Sequence, residues 1–165
     1  MRTISNSFWK TIPRIALALG ILAVLPLSLG EGKQHLELAQ PPKAVVKRGA
    51  SALVRLPVRL EDGYHVNSDT PEDEYLIPLR LRWEPGPLVA AKILYPQPHV
   101  ETLGFSKKPM AVFSGEFEIV TRFEADPKAP AGPGILGGKL RYQACNGTTC
   151  FMPKTIDISL AYEIQ

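Results

Sequence analysis

The chain has 165 residues, in which 19 Lys and Arg stand against 16 Asp and Glu, with two Cys and three His. Residues 1–30 hold Arg2, Lys10 and Arg14 and no acid, so the remainder carries sixteen charges of each sign. A balanced remainder of single-domain length, with no Lys or Arg run interleaved with aromatics, gives no electrostatic case for nucleic acid and leaves room for one core.

Lys10 and Arg14 precede an apolar run from Ile15 to Leu29, broken by Gly20 and Pro26, and Ser28-Leu29-Gly30 offers small residues for cleavage. That is the layout of an export signal peptide over residues 1–30. The run is shorter than the roughly 20 residues of a membrane span. An uncleaved anchor is the alternative, because the site is not a clean Ala-x-Ala. No cysteine stands at the junction, which disfavours a lipoprotein anchor. Residues 31–165 are then the domain, exported to an oxidising compartment where a disulfide can form and persist.

Pro41-Pro42 reads as a linker and Ala44 to Lys47 as a short first strand. Val54, Leu56, Val58 and Leu60 alternate with Arg55, Pro57 and Arg59, a half-buried strand. Pro57 cannot donate to a ladder and argues for an edge position. Glu61-Asp62-Gly63 turns the chain. The polar stretch Tyr64-His65-Val66-Asn67-Ser68 follows, with an imidazole whose simplest role is structural hydrogen bonding. Ile77, Leu79, Leu81 and Trp83 form a strand that sends an indole toward the core, and Leu88 to Leu94 forms another.

From Tyr95 to Met110 the alternation stops. Pro96, Pro98, Gly104 and Pro109 punctuate a long loop that still carries Leu103 and Phe105, and long structureless loops are frequently functional. Phe117, Ile119, Thr121 and Phe123 make the next strand, and residues 126–134 lead to the last two. No helical repeat appears outside the N-terminal segment. Short strands separated by regular turn signals predict an all-β, antiparallel immunoglobulin-like β-sandwich.

The last hairpin holds both cysteines. Leu140, Tyr142 and Ala144 alternate into Cys145, Asn146-Gly147 tolerates the positive φ of a tight turn, and Ile156 to Ile164 alternate beyond Cys150. The thiols therefore face each other across a short loop. A bond closing about six residues stabilises a fold by only ~2 kcal/mol in the chain-entropy model, a weak staple. An exposed loop between strands is also open to an incoming thiolate. Spacing alone leaves both a stabilising bond and a redox-active one. A metal site lacks ligands.

Gly63-Tyr64-His65-Val66-Asn67-Ser68, Ile77-Pro78, Tyr95-Pro96, and Tyr142-Gln143-Ala144-Cys145 with Cys150 and Pro153 together resemble the periplasmic N-terminal domain of the DsbD thiol:disulfide interchange protein. The likeness covers nearly all of residues 35–165, and Tyr-Gln-x-Cys followed by Cys-x-x-Pro is its specific part. The resemblance implies an immunoglobulin-like fold, a periplasmic location and a redox-active Cys145–Cys150 disulfide, with no other cofactor and no metal. Cys150 would form the mixed disulfide with a partner and Cys145 would resolve it.

The loop from His99 to Ser106 matches the family's cap loop in position, with Phe105, or else Leu103, as the shield over the disulfide. Tyr64, His65, Tyr142, Gln143 and Pro153 would flank the site. The implied partners are thioredoxin-fold proteins, a membrane thiol reductase of the DsbD/CcdA type, and oxidised periplasmic proteins, including those of cytochrome c biogenesis. The chain departs from the best-known members in having four rather than five residues between the cysteines. It ends at Gln165, so separate membrane and thioredoxin-like partners are expected. The rival reading is an immunoglobulin-like binding domain whose disulfide only stabilises. A copper- or haem-delivery factor using Cys145, Cys150 and His65 or Met152 is disfavoured by the scarcity of Met and His.

Overall fold

The computed structural model describes residues 34–104, 106 and 108–165. The expected signal segment and Phe105 lie outside the described residues. Among those described, the chain forms twelve strands and no helix, and so none long and apolar enough to cross a membrane.

The first sheet runs β1 (Leu36–Leu38), β3 (Ser51–Leu60), β9 (Glu116–Ala125), β6 (Leu88–Leu94). The second runs β2 (Ala44–Val46), β12 (Lys154–Ile164), β10 (Gly132–Tyr142), β5 (Arg80–Trp83). Every pairing in these two is antiparallel except β2 with β12. The two sheets pack their apolar faces together, as the antiparallel sandwich expectation requires. Val54, Leu56, Val58, Leu60, Ile119 and Phe123 from the first sheet and Leu81, Leu136, Leu140, Ile158 and Leu160 from the second are all buried. Each such side chain contributes about 1.5–3 kcal/mol relative to exposure. Two core clusters result, and Trp83 packs against both. Its Nε1 donates to the buried Thr121 hydroxyl at 3.0 Å, and Gly138 lies opposite it. A Cβ at Gly138 would stand 2.6 Å from the indole, so the crossing needs a residue without one.

The edge position expected from Pro57 holds for only part of its strand. β3 lies between β1 and β9, but β1 covers only Val58 to Leu60. The Pro57 carbonyl accepts one further bond from Ala39 N at 3.1 Å. Pro57 has no N–H to continue that ladder, so the β1 side of β3 opens there.

A third sheet adds to the strands expected from the sequence. Its order is β11 (Ala144–Cys145), β4 (His65–Asn67), β8 (Met110–Ser114), β7 (His99–Glu101), all antiparallel. β7 and the start of β8 fall within the stretch read as a structureless loop. One face of this sheet sends Val66, Phe113 and Ala144 into the main core. The other carries the cysteine.

Candidate functional site

Cys145 ends β11 and lies directly opposite His65 on β4, which in turn lies opposite Ser114 on β8. Side chains paired this way share a face. Five positions beyond Cys145 the chain returns at Cys150, and the two sulfurs are bonded, 2.07 Å apart with Cα atoms 4.0 Å apart. The pair is unequal. Cys145 is 0% exposed, whereas Cys150 is half-buried.

The loop between them differs from the expected Asn-Gly turn. Gly147 does not take a positive φ. Instead the Asn146 carboxamide oxygen accepts from Thr148 N, Thr149 N and the Thr148 hydroxyl at 2.9–3.0 Å, and Asn146 N donates to Thr149 O at 2.9 Å. Four residues bridged by a disulfide are too many for a two-residue hairpin turn, so the side chain supplies the turn's acceptor. Past Cys150, Phe151 N donates to Ala144 O at 2.9 Å, and Gln143 Nε2 donates to Phe151 O at 2.9 Å. These bonds hold the half-buried sulfur in place.

Two side-chain groups flank the disulfide. On one side His35 stacks on Tyr64 with ring centroids 3.8 Å apart, and Phe151 tilts onto the same imidazole at 4.8 Å. His35 Nδ1 lies 2.8 Å from Glu61 Oε2. On the other side, along the face shared with Cys145, His99 Nε2 is 2.8 Å from Glu101 Oε1 and 3.2 Å from the Ser114 hydroxyl. Burial pushes the His65 imidazole below its ordinary pKa, the Glu101 carboxylate opposes that shift and His99 reinforces it. His65 is therefore neutral at pH 7 and able to accept a proton beside a sulfur that water does not reach.

The loop after β7 rests on the cysteine loop. A Cβ at Gly104 would lie 3.1 Å from the Gly147 carbonyl oxygen, and Ser106 N donates to Leu103 O at 2.9 Å to close the tip. Leu103 is buried with Met110, Val112 and the partly buried Leu76, on the face that carries Cys145 and His65. Leu81 N donates to the Tyr95 hydroxyl at 2.8 Å, which fixes the start of this segment.

Residues 35–161 match the family model described as thiol:disulfide interchange protein DsbD, N-terminal. The chain belongs to that family. Among solved structures it is similar to the N-terminal periplasmic domain of ScsB from Proteus mirabilis, with a TM-score of 0.56 and 14% identity over 78% of this chain. The chain spans 47% of that ScsB structure. It also matches the Neisseria meningitidis DsbD N-terminal domain in its reduced form, with a TM-score of 0.46 and 18% identity over 72% of this chain and 86% of that one. No curated protein matches the sequence.

Of the residues that the family resemblance singles out, the structure brings Cys145, Cys150, His65, Gln143 and Tyr64 together around the hairpin. Leu103 lies on the same sheet face, and Pro153 follows two residues beyond Phe151. Tyr142 belongs instead to the main core, where burial raises its phenol pKa. Phe105 lies outside the described residues. His35, His99 and Ser114 join the others without a site role legible in the sequence. Their only signal was residue type, because each joins the site through pairing with a distant strand.

Proposed function

We propose that the chain is an exported thiol:disulfide interchange module that passes reducing equivalents through Cys145 and Cys150. The observation that carries this reading is the unequal pair itself, one sulfur enclosed and the other half-open, within a DsbD N-terminal family domain. In the reduced protein the Cys150 thiolate attacks a partner disulfide, forms a mixed disulfide and releases the partner's other sulfur as a thiolate. Cys145 then gives its proton to His65 and attacks the Cys150 sulfur. That step restores the intramolecular bond and releases the second partner thiolate, which takes up a proton. Two electrons pass to the partner, whose two thiolates take up one proton from His65 and one from solvent. The reverse sequence recharges the pair from a thioredoxin-like or membrane reductase.

The loop at Gly104, with Leu103 and Phe105, would act as the shield, lifting when a partner docks. Periplasmic residence, reached through residues 1–30, supplies the disulfide-permissive setting. The chemistry needs a dithiol donor and a disulfide acceptor, and thioredoxin-fold proteins, a membrane reductase of the DsbD/CcdA type and oxidised periplasmic proteins are the proposed partners. The protein sulfurs are the redox group, with no further cofactor. A Cys145→Ser variant expressed in the periplasm should accumulate mixed disulfides through Cys150, and mass spectrometry should identify thioredoxin-fold or cytochrome-maturation proteins in them. Trapping only by Cys150→Ser would reverse the two roles. Trapping by neither variant would return the bond to a stabilising one.

A further inference from the structure

The outward face of the second sheet arranges its charges in a way that folding does not favour. Arg80 and Arg82 on β5 lie directly opposite Arg141 and Lys139 on β10, and all four side chains are exposed. Like charges in directly opposed positions repel. The outward face of the first sheet pairs opposite signs instead, Arg55 with Glu118 at 2.8 Å, Arg59 with Glu116 at 3.7 Å and Arg122 with Glu124 at 3.0 Å. Nothing in the sandwich demands that one sheet be complementary and the other a cluster of cations, and the chain beyond residue 30 has no net charge to distribute.

Two acids bound the cluster at the end away from the disulfide, and at the near end Arg80 Nη2 donates to the Asp69 carbonyl oxygen at 3.5 Å. Asp157 binds Lys139 Nζ at 2.6 Å, and Glu84 acts on the same ammonium from further off. In the next row Arg141 faces Thr155 on β12 and Arg80 on β5, so it has no acid directly opposite on either neighbouring strand. This row is the one nearest the hairpin. Arg141 lies four positions before Cys145, about 13 Å of extended chain at ~3.3 Å per residue. A shallow cavity of about 380 Å³ lies among Pro78, Arg80, Arg82, Lys139, Arg141 and Thr155.

We propose that this patch docks a carboxylate-bearing segment next to the reactive disulfide of the protein partner, an inference that rests on the exchange function above. The cations form a grid about 5 Å across the strands and ~7 Å along them, bounded at one end by Asp157 and Glu84. That outline fits a few carboxylates on a protein surface. A plane of lipid phosphates would also meet the two acids. Charges at a contact rim act mainly on encounter rate and orientation, which suits a transient electron carrier.

The test uses the full reduced chain and three short peptides, each bearing one cysteine as a mixed disulfide with thionitrobenzoate. The peptides differ only in a run of Glu, Gln or Lys placed a few residues from that cysteine. At about 0.01 M salt, where the Debye length is about 30 Å, the Glu peptide should release thionitrobenzoate about tenfold faster than the Gln peptide, within the range that electrostatic steering supplies. The Lys peptide should be slower than both. The differences should vanish at about 1 M salt, where screening acts within about 3 Å, and in an Arg80→Gln/Arg141→Gln variant.

Equal rates for all three peptides would overturn the docking site while leaving exchange intact. Failure to react with the Gln peptide faster than a Cys145→Ser/Cys150→Ser control would instead sink the exchange reading. Binding to phosphatidylglycerol vesicles that the same Arg substitutions abolish, without any peptide preference, would overturn the protein partner in favour of a membrane surface.

Discussion

Reducing the Cys145–Cys150 bond should leave the sandwich folded, and the cost can be worked from the loop that it closes. The cysteines are separated by 5 positions. For a loop this short the chain-entropy model removes about 7 cal/mol/K from the unfolded chain, or about 2 kcal/mol at 25 °C. Neither cysteine belongs to the two clusters between the main sheets, and burial of a single core Leu is worth about as much as the bond. Urea unfolding of oxidised and reduced protein, followed by far-ultraviolet circular dichroism, should show a loss of about 2 kcal/mol with an unchanged denaturant slope. The melting temperature should fall by roughly 5–10 °C. By the thermodynamic cycle, folding should lower the potential of the pair by about 50 mV relative to the unfolded chain, since ~30 mV corresponds to ~1.4 kcal/mol. Reduced protein that is unfolded at 25 °C would refute this reasoning, because a carrier must survive every turnover in both forms.

Three further outcomes follow from particular contacts. Gly104→Val should wedge the loop off the Gly147 carbonyl, which a Cβ would already approach to 3.1 Å. Alkylation of reduced Cys150 and its exchange with small disulfides should rise several-fold with little change in the melting temperature; unaltered reactivity would show that the loop does not shield the pair. His65 has its pKa lowered chiefly by burial, so the unfolded chain takes up its proton more readily than the folded one. Its share of stability is fully present above pH ~6.5 and is lost as pH falls toward the depressed folded value. Urea midpoints measured from neutral to mildly acidic pH should fall less in His65→Gln than in the parent, and the same variant should slow resolution of the mixed disulfide. Gly138→Val should cost about 1–3 kcal/mol by overpacking against Trp83, read as a lower urea midpoint; a neutral result would mean that the indole has somewhere else to go.

Much of the sandwich was legible because its long strands each have one buried face. In β3, β9, β10 and β12 that face imposes a period of two over ten or eleven residues, which no helix or loop would reproduce. The pairing of Cys145 with Cys150 was legible for a similar reason, since two thiols on either side of one short loop have few other places to go. The turn between them was misread because Asn146 can serve either through its backbone or through its side chain, and only the number of residues to be bridged decides which.

The amino-acid order alone determined an all-β chain, its long strands and the sulfur pair at the end of its last hairpin. The tertiary structure alone decided the surroundings of that pair. β4 is three residues long and buried at every position, so it has no alternation to read, and β7 looks like loop until β8 supplies its partner. His65, Ser114 and Cys145 come together across 80 residues of chain through strand register, which depends on how whole sheets pack and on no single segment. The meeting of Gly104 with Gly147, and of Arg80 with Arg141, has the same origin: each half is unremarkable alone, and its chemistry exists only once the other half lies against it.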